Sequence, residues 1–176
     1  MGRPKHALPV AGSTLLEWIV ARLGPAFAET IVSGAPAPAG SRAVADRRRD
    51  AGPLAGIEAG LLAMSPDRAF VLSVDMPYAS ARLASALLER LHAHDAVVPR
   101  TSARAQPTCA AYARSAGPKL GAFLESGDRR ATAALQGMDV LFVDDATLRA
   151  AGIANSELRD LDTPADYDAF IASLRA

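Results

Sequence analysis

Apolar and polar positions follow two periods in turn along this chain. Leu15, Leu16, Ile19, Val20 and Leu23 recur at helical spacing behind Ser13 or Thr14, either of which suits a cap, and predict a helix over Leu15–Leu23. Residues 29–33 (ETIVS) predict a short apolar strand, 34–41 a Pro/Gly/Ala loop and 42–46 a second short strand. Arg47, Arg48, Arg49 and Asp50 form a polar run expected in solvent. Gly52-Pro53 opens a helix through Met64, with Pro53 in the first turn, where its missing N–H costs nothing. Residues 69–74 (AFVLSV) predict a strand buried on both faces, stopped at Asp75-Met76-Pro77. Leu83, Leu87, Leu88 and Leu91 form one stripe of a helix over 81–92. Strands are predicted over 95–99, 108–113 and 139–143, with a loop at 101–105. Helices over 118–124 and 131–135 flank the polar turn from Ser126 to Arg130, and 164–174 predicts a closing amphipathic helix. There is no internal repeat, linker or low-complexity tract.

Strand–helix alternation with continuous apolar strands predicts an α/β domain, a mostly parallel sheet with helices on both faces. Ligands in such sheets sit beyond the carboxyl ends of strands. That rule singles out the turn at residues 1–5, the loop after Ser33, Asp46 with the Gly52 turn, and Asp75. The 176 residues suit one domain, 1–176, with a sizeable core.

Composition narrows the function classes. Half the residues are hydrophobic and 22% charged, as in a soluble globular protein. Lys+Arg and Asp+Glu are 19 each, so no global basic field would hold nucleic acid or an anionic membrane. Cys109 is the one cysteine, which excludes an intramolecular disulfide and a Cys-based zinc site and fits a reducing compartment. No apolar run approaches the roughly 20 residues of a membrane span. The first ten residues hold Pro4 and Pro9 and no apolar signal core, so the expectation is cytoplasmic.

Seventeen arginines accompany only Lys5 and Lys119, so each lysine is mildly informative as a compact point charge kept where a planar fork was the habit. Asp75 ends the most apolar strand, where a carboxylate suits Mg²⁺; the plain alternative is a carboxylate capping its turn. Gly52, Pro53, Leu54, Ala55 and Gly56 form a tight turn entering a helix, able to approach an anion or a base edge, or simply to pack closely. Lys5 is either a phosphate-neutralising loop lysine or a solvated cation. Arg129 and Arg130 either clamp a phosphate or form a surface pair. Cys109 reads as core. His6, His92 and His94 lack ligand spacing, and no Ser/His/Asp or Cys/His arrangement stands out.

Together these motifs resemble the MobA-like nucleotidyltransferases, in particular molybdenum cofactor guanylyltransferases. That family opens with a strand ending LAGG, a short loop and RMG..K; Met1-Gly2-Arg3-Pro4-Lys5 looks like the end of it. Leu8-Pro9-Val10-Ala11-Gly12 followed by Leu15-Leu16-Glu17 is similar to its L…G..LLE segment. Gly52-Pro53-Leu54-Ala55-Gly56-Ile57 matches GPLAG, and Val74-Asp75-Met76-Pro77 its C-D-M-P with Val for Cys. Gln106-Pro107 with Ala110-Ala111-Tyr112 resembles its H/Q-P-x-x-A-x-Y strand, and Gly127-Asp128-Arg129-Arg130 its G-x-R-R turn. Leu161-Asp162-Thr163-Pro164 is similar to its closing N-T-P, with Asp162 for Asn.

The resemblance spans essentially the whole chain and implies a Rossmann-like three-layer nucleotidyltransferase fold lacking the usual first strand. The expectation is that Met1 is the methionine inside the family's RMG. The implied reaction is transfer of GMP from GTP to molybdenum-bearing molybdopterin with release of pyrophosphate, Mg²⁺ bridging the phosphates. By position, Asp75 would bind Mg²⁺ and Lys5 the triphosphate. Asp46 would contact the guanosine, and the backbone of Gly52, Pro53, Leu54, Ala55 and Gly56 would approach the nucleotide. Arg129, Arg130 and Gln106 would meet the pterin substrate. Implied protein partners are other molybdenum cofactor pathway proteins or molybdoenzyme chaperones, with no nucleic acid and no membrane. The alternatives are a molybdopterin cytidylyltransferase or other small-molecule nucleotidyltransferase, and a catalytically inactive nucleotide-binding or adaptor domain.

Overall fold

The computed structural model describes residues 4–48, 51–101 and 104–175. The predicted roles of Met1, Gly2 and Arg3 in the opening motif, of Arg49 and Asp50 in the polar run, and of Ser102 and Ala103 in the loop fall on residues outside that description.

The strands are β1 (Pro9–Val10), β2 (Ser13–Thr14), β3 (Ile31–Ser33), β4 (Arg42–Val44), β5 (Arg68–Leu72), β6 (Ala96–Arg100), β7 (Cys109–Ala113) and β8 (Val140–Asp144). The helices are α1 (Leu15–Leu23), α2 (Pro53–Ala63), α3 (Ala81–Glu89), α4 (Ala116–Glu125), α5 (Ala131–Ala134), α6 (Asp145–Ala150) and α7 (Pro164–Ser173). Thr14, not Ser13, caps α1. Its hydroxyl accepts from the Glu17 amide at 3.2 Å while the Glu17 carboxylate accepts from the Thr14 amide at 2.8 Å, a reciprocal box that satisfies two orphan donors. Thr163 and Asp166 repeat that box at α7, and Ser80 caps α3. At α2, Gly52 (φ +68°) makes the left-handed turn that delivers Pro53 to the first helical position.

The main sheet has the order β5-β7-β6-β8. β7 is antiparallel to β5 and to β6, and β6 is parallel to β8, so three of four strands point one way and the sheet is mixed. A second, parallel pair joins β3 to β4, and β1 with β2 forms a small hairpin. Period-two alternation divides the core. Ala96, Val98, Ala110 and Tyr112 face Leu54, Leu61 and Leu120 of α2 and α4. Val97, Cys109, Ala111 and Val143 face Leu83, Leu87 and Leu148 of α3 and α6. A third cluster joins Leu8 and Leu15 to Leu161 and Phe170, docking α1 on α7. Helices therefore cover both faces, as the strand–helix alternation predicts.

Three expectations change. The 69–74 run is only half-buried over β5, because β5 pairs with β7 alone among the described residues. β4 ends at Val44, leaving Asp46 in the following loop. α3 stops at Glu89, and His92 turns left-handed (φ +35°), so Leu91 is buried from a turn and not from the predicted helix. No helix among the described residues is long and apolar enough to cross a membrane.

Candidate active site

Asp75 lies just past the carboxyl end of β5, in a turn that the rest of the molecule ties down. The Ser73 amide donates to the Thr108 carbonyl at 2.7 Å, joining the turn to the segment entering β7. The Leu161 amide donates to the Asp75 carbonyl, also at 2.7 Å, and brings the segment before α7 alongside. Met76 and Pro77 are buried, and the Tyr78 ring meets Phe170 edge-on at 5.3 Å. The Asp75 carboxylate is left at the surface of this rigid support, with its side chain a quarter exposed.

Lys5 and Asp162 meet it there. The Lys5 ammonium donates to Asp75 at 2.9 Å and to Asp162 at 3.2 Å. Burial works against the ammonium, but Asp75 and then Asp162 outweigh it and hold its pKa above the usual 10.5. Asp162 is the residue to which the sequence motifs attached no role. Its signal was the polar position between buried Leu161 and the α7 cap Thr163, which pins the backbone on both sides. Two carboxylates converging on one cation have the donor chemistry that Mg²⁺ takes, hard oxygens from one or two side chains with water and phosphate filling the rest. Among the described residues no cluster of three or more His, Cys, Asp or Glu is poised for a metal, which points away from an all-protein cage.

A second set surrounds β3. Ser33 donates its hydroxyl to the Asp46 carboxylate, joining the end of β3 to the loop after β4. Gly56 on α2 lies against that pair: a methyl group there would meet the Ser33 hydroxyl oxygen at 3.3 Å and an Asp46 oxygen at 3.8 Å. The structure thus brings Asp46 to the Gly52–Gly56 turn, the company predicted for it, and adds Ser33. Leu54 and Ala55 are buried within the same turn.

The remaining predicted residues stand apart. Arg130 grips Asp128 through Nε and Nη2 at 2.6–3.2 Å, which holds the Asp128 carboxyl down at about 2. Arg129 is exposed on the same turn. Gln106 is buried, its backbone N–H donating to the Pro99 carbonyl at 2.9 Å, on the segment that reaches the Asp75 turn through Thr108. Arg104 pairs with Asp160, linking that segment to the one carrying Asp162. Arg48, expected in solvent, instead reaches the buried Glu58 at 3.4 Å and Glu125 at 3.2 Å, because α4 covers the face of α2 on which Glu58 sits.

Residues 1–146 match the MobA-like NTP transferase domain. A probable molybdenum cofactor guanylyltransferase of Methanosarcina mazei is 36% identical over 59% of this chain, and the matched part spans 47% of that relative's length. One of Methanosarcina acetivorans is 28% identical over 97% of this chain and 83% of the relative. Among solved structures, molybdopterin-guanine dinucleotide biosynthesis protein A from Archaeoglobus fulgidus superposes with a TM-score of 0.86 at 22% identity, over 99% of this chain and 92% of that one. The 2-C-methyl-D-erythritol 4-phosphate cytidylyltransferase of Thermus thermophilus shares the fold at a TM-score of 0.74 and 22% identity, over 98% and 95% of the two chains.

Proposed function

The chain belongs to the MobA-like NTP transferase family, a family of nucleotidyltransferases, and on that premise we propose that it transfers GMP from GTP to molybdenum-bearing molybdopterin. A terminal phosphate oxygen of molybdopterin bonds to the α-phosphorus of GTP. The bond from that phosphorus to the oxygen bridging to the β-phosphate breaks, and its electron pair leaves on pyrophosphate. The observation that carries the proposal is the convergence of Asp75 and Asp162 on one cation at the carboxyl end of β5. Mg²⁺ held by these two carboxylates would offset the charge on the reacting phosphates.

The chain's own residues bind and orient. Lys5, a point charge shared between the two carboxylates, is placed to bind the triphosphate and would be released to it where the carboxylates hold Mg²⁺. The turn from Gly52 to Gly56 presents backbone to the nucleotide, and Asp46, oriented by Ser33, accepts hydrogen bonds from the guanosine. Arg129, Arg130 and Gln106 receive the pterin substrate, Arg130 exchanging Asp128 for its phosphate. Catalysis on this reading is positioning and electrostatics with no covalent intermediate on the protein. The product would pass to other molybdenum cofactor proteins or molybdoenzyme chaperones in the cytoplasm.

The test is pyrophosphate release from molybdenum-bearing molybdopterin with Mg²⁺ and either GTP or CTP. Turnover with GTP is expected. Preference for CTP would make the protein a cytidylyltransferase, and nucleotide binding without turnover would make it an inactive binding domain.

A further inference from the structure

Arg22 projects from α1 onto the turn that carries Asp75. Its Nη2 donates to the Pro77 carbonyl at 2.5 Å and to the Ala79 carbonyl at 2.6 Å, and its guanidinium lies 4.4 Å over the Trp18 ring. The residue as a whole is exposed, yet its guanidinium head is partly withdrawn from water, which draws its pKa below the usual arginine value against the pull of Glu157. Glu157 holds the far side of the same turn, accepting from the Ser80 amide at 3.2 Å. Trp18 and Tyr78 both meet Phe170 edge-on at 5.3 Å, so α1, the turn and α7 form one aromatic block. The block's free end is Asp75, whose own carbonyl is tied to Leu161, next to Asp162.

We infer that Arg22 is a positioning residue: by gripping the Pro77 and Ala79 carbonyls it fixes the Asp75 carboxylate at the spacing from Asp162 that a shared divalent cation requires. This rests on the two-carboxylate cation site proposed above. Arg22 acts through the turn and touches no substrate. Both bonds come from one nitrogen, Nη2, of a planar guanidinium held over the Trp18 ring, whereas a lysine ammonium on a flexible stem has no plane to stack there.

The test is Mn²⁺ binding, with the metal alone, followed by electron paramagnetic resonance on the intact chain and on Arg22→Met, Arg22→Lys and Asp75→Asn, each well below its unfolding temperature. Arg22→Met is expected to weaken Mn²⁺ binding by about 10-fold, as loss of an orienting partner behind a metal ligand does. Arg22→Lys should fall between it and the unaltered chain. A purely structural role would lower the unfolding temperature and leave the affinity of the folded protein unchanged, and that result overturns the inference. Should Arg22→Met not fold, Arg22→Lys decides alone: weakened binding supports the role and unchanged binding overturns it. If Asp75→Asn binds Mn²⁺ as well as the unaltered chain, the cation site itself fails, and Arg22 with it. If Asp75→Asn loses binding while the Arg22 variants keep it, only Arg22 falls.

Discussion

The two lysines of this chain each end in an ion pair with aspartate, at opposite ends of the main sheet. Lys5 meets Asp75 and Asp162 beyond the carboxyl end of β5, and Lys119 meets both oxygens of Asp95, at 2.6 and 2.8 Å, before the amino end of β6. Asp95 is buried and also accepts from the Asp139 amide at 2.8 Å, so its carboxylate has full employment inside the scaffold. Burial alone would raise the Asp95 carboxyl, but Lys119 and the Asp139 amide together hold it below its usual value. Asp75 and Asp162 are more exposed and come from segments far apart in sequence, with the ammonium as their common partner. One lysine completes a buried carboxylate. The other joins two more exposed carboxylates at the proposed cation site, and substitutions at the two ends test whether this separates a structural pair from a site of the same composition.

Asp75→Asn gives the sharpest contrast. It should keep the fold by circular dichroism and lose Mg²⁺-dependent pyrophosphate release by orders of magnitude; unchanged turnover would remove Asp75 from the metal role. Lys119→Met should do the reverse. It leaves a buried carboxylate short of its cation, so urea denaturation should show a loss of about 1–3 kcal/mol while activity per folded molecule stands. A loss of activity beyond the unfolded fraction would erase the distinction between the two ends. Lys5→Met has an expected sign that only the exchange of cations explains: without nucleotide, Mn²⁺ binding should tighten a few-fold because the competing ammonium is gone, while the KM for GTP rises. Weaker Mn²⁺ binding would show that Lys5 is not a placeholder. The smallest effect is in acid. The folded Asp95 carboxyl lies below its unfolded value of about 3.8, so its contribution is complete above that pH and is lost as pH falls through the folded value. Stability followed by urea midpoint from pH 5 downward should fall less steeply in Lys119→Met than in the unaltered chain.

Much of the scaffold is legible locally. The 3.6-residue spacing of α1, the Gly52-Pro53 opening of α2 and the apolar run stopped at Asp75 each encode an element or its end, because caps and periodicity act over one or two turns. Asp75 was readable as a candidate site residue for that reason. Asp162 was not, since its meaning comes from Leu161 bonding to Asp75 across the fold. Arg48 misled for the same reason: a basic run reads as solvated until α4 is packed over Glu58. The 69–74 run carried its hydrophobicity but not its burial, which depends on what flanks β5. No local pattern distinguishes the antiparallel β7 from its neighbours, since apolar alternation is the same in either direction.

By itself, then, the sequence determined most of the helices and the longer strands but not α6 or the β1–β2 hairpin, where several elements begin and stop, and that carboxylates and glycines fall near strand ends. Those are short-range properties, written in neighbours a few residues apart. Only the tertiary structure decided the β5-β7-β6-β8 order, which aspartates each lysine serves, and that Arg22 reaches the turn behind Asp75. Those depend on long-range packing, where a side chain's partner is set by which apolar faces must bury one another and not by its own identity.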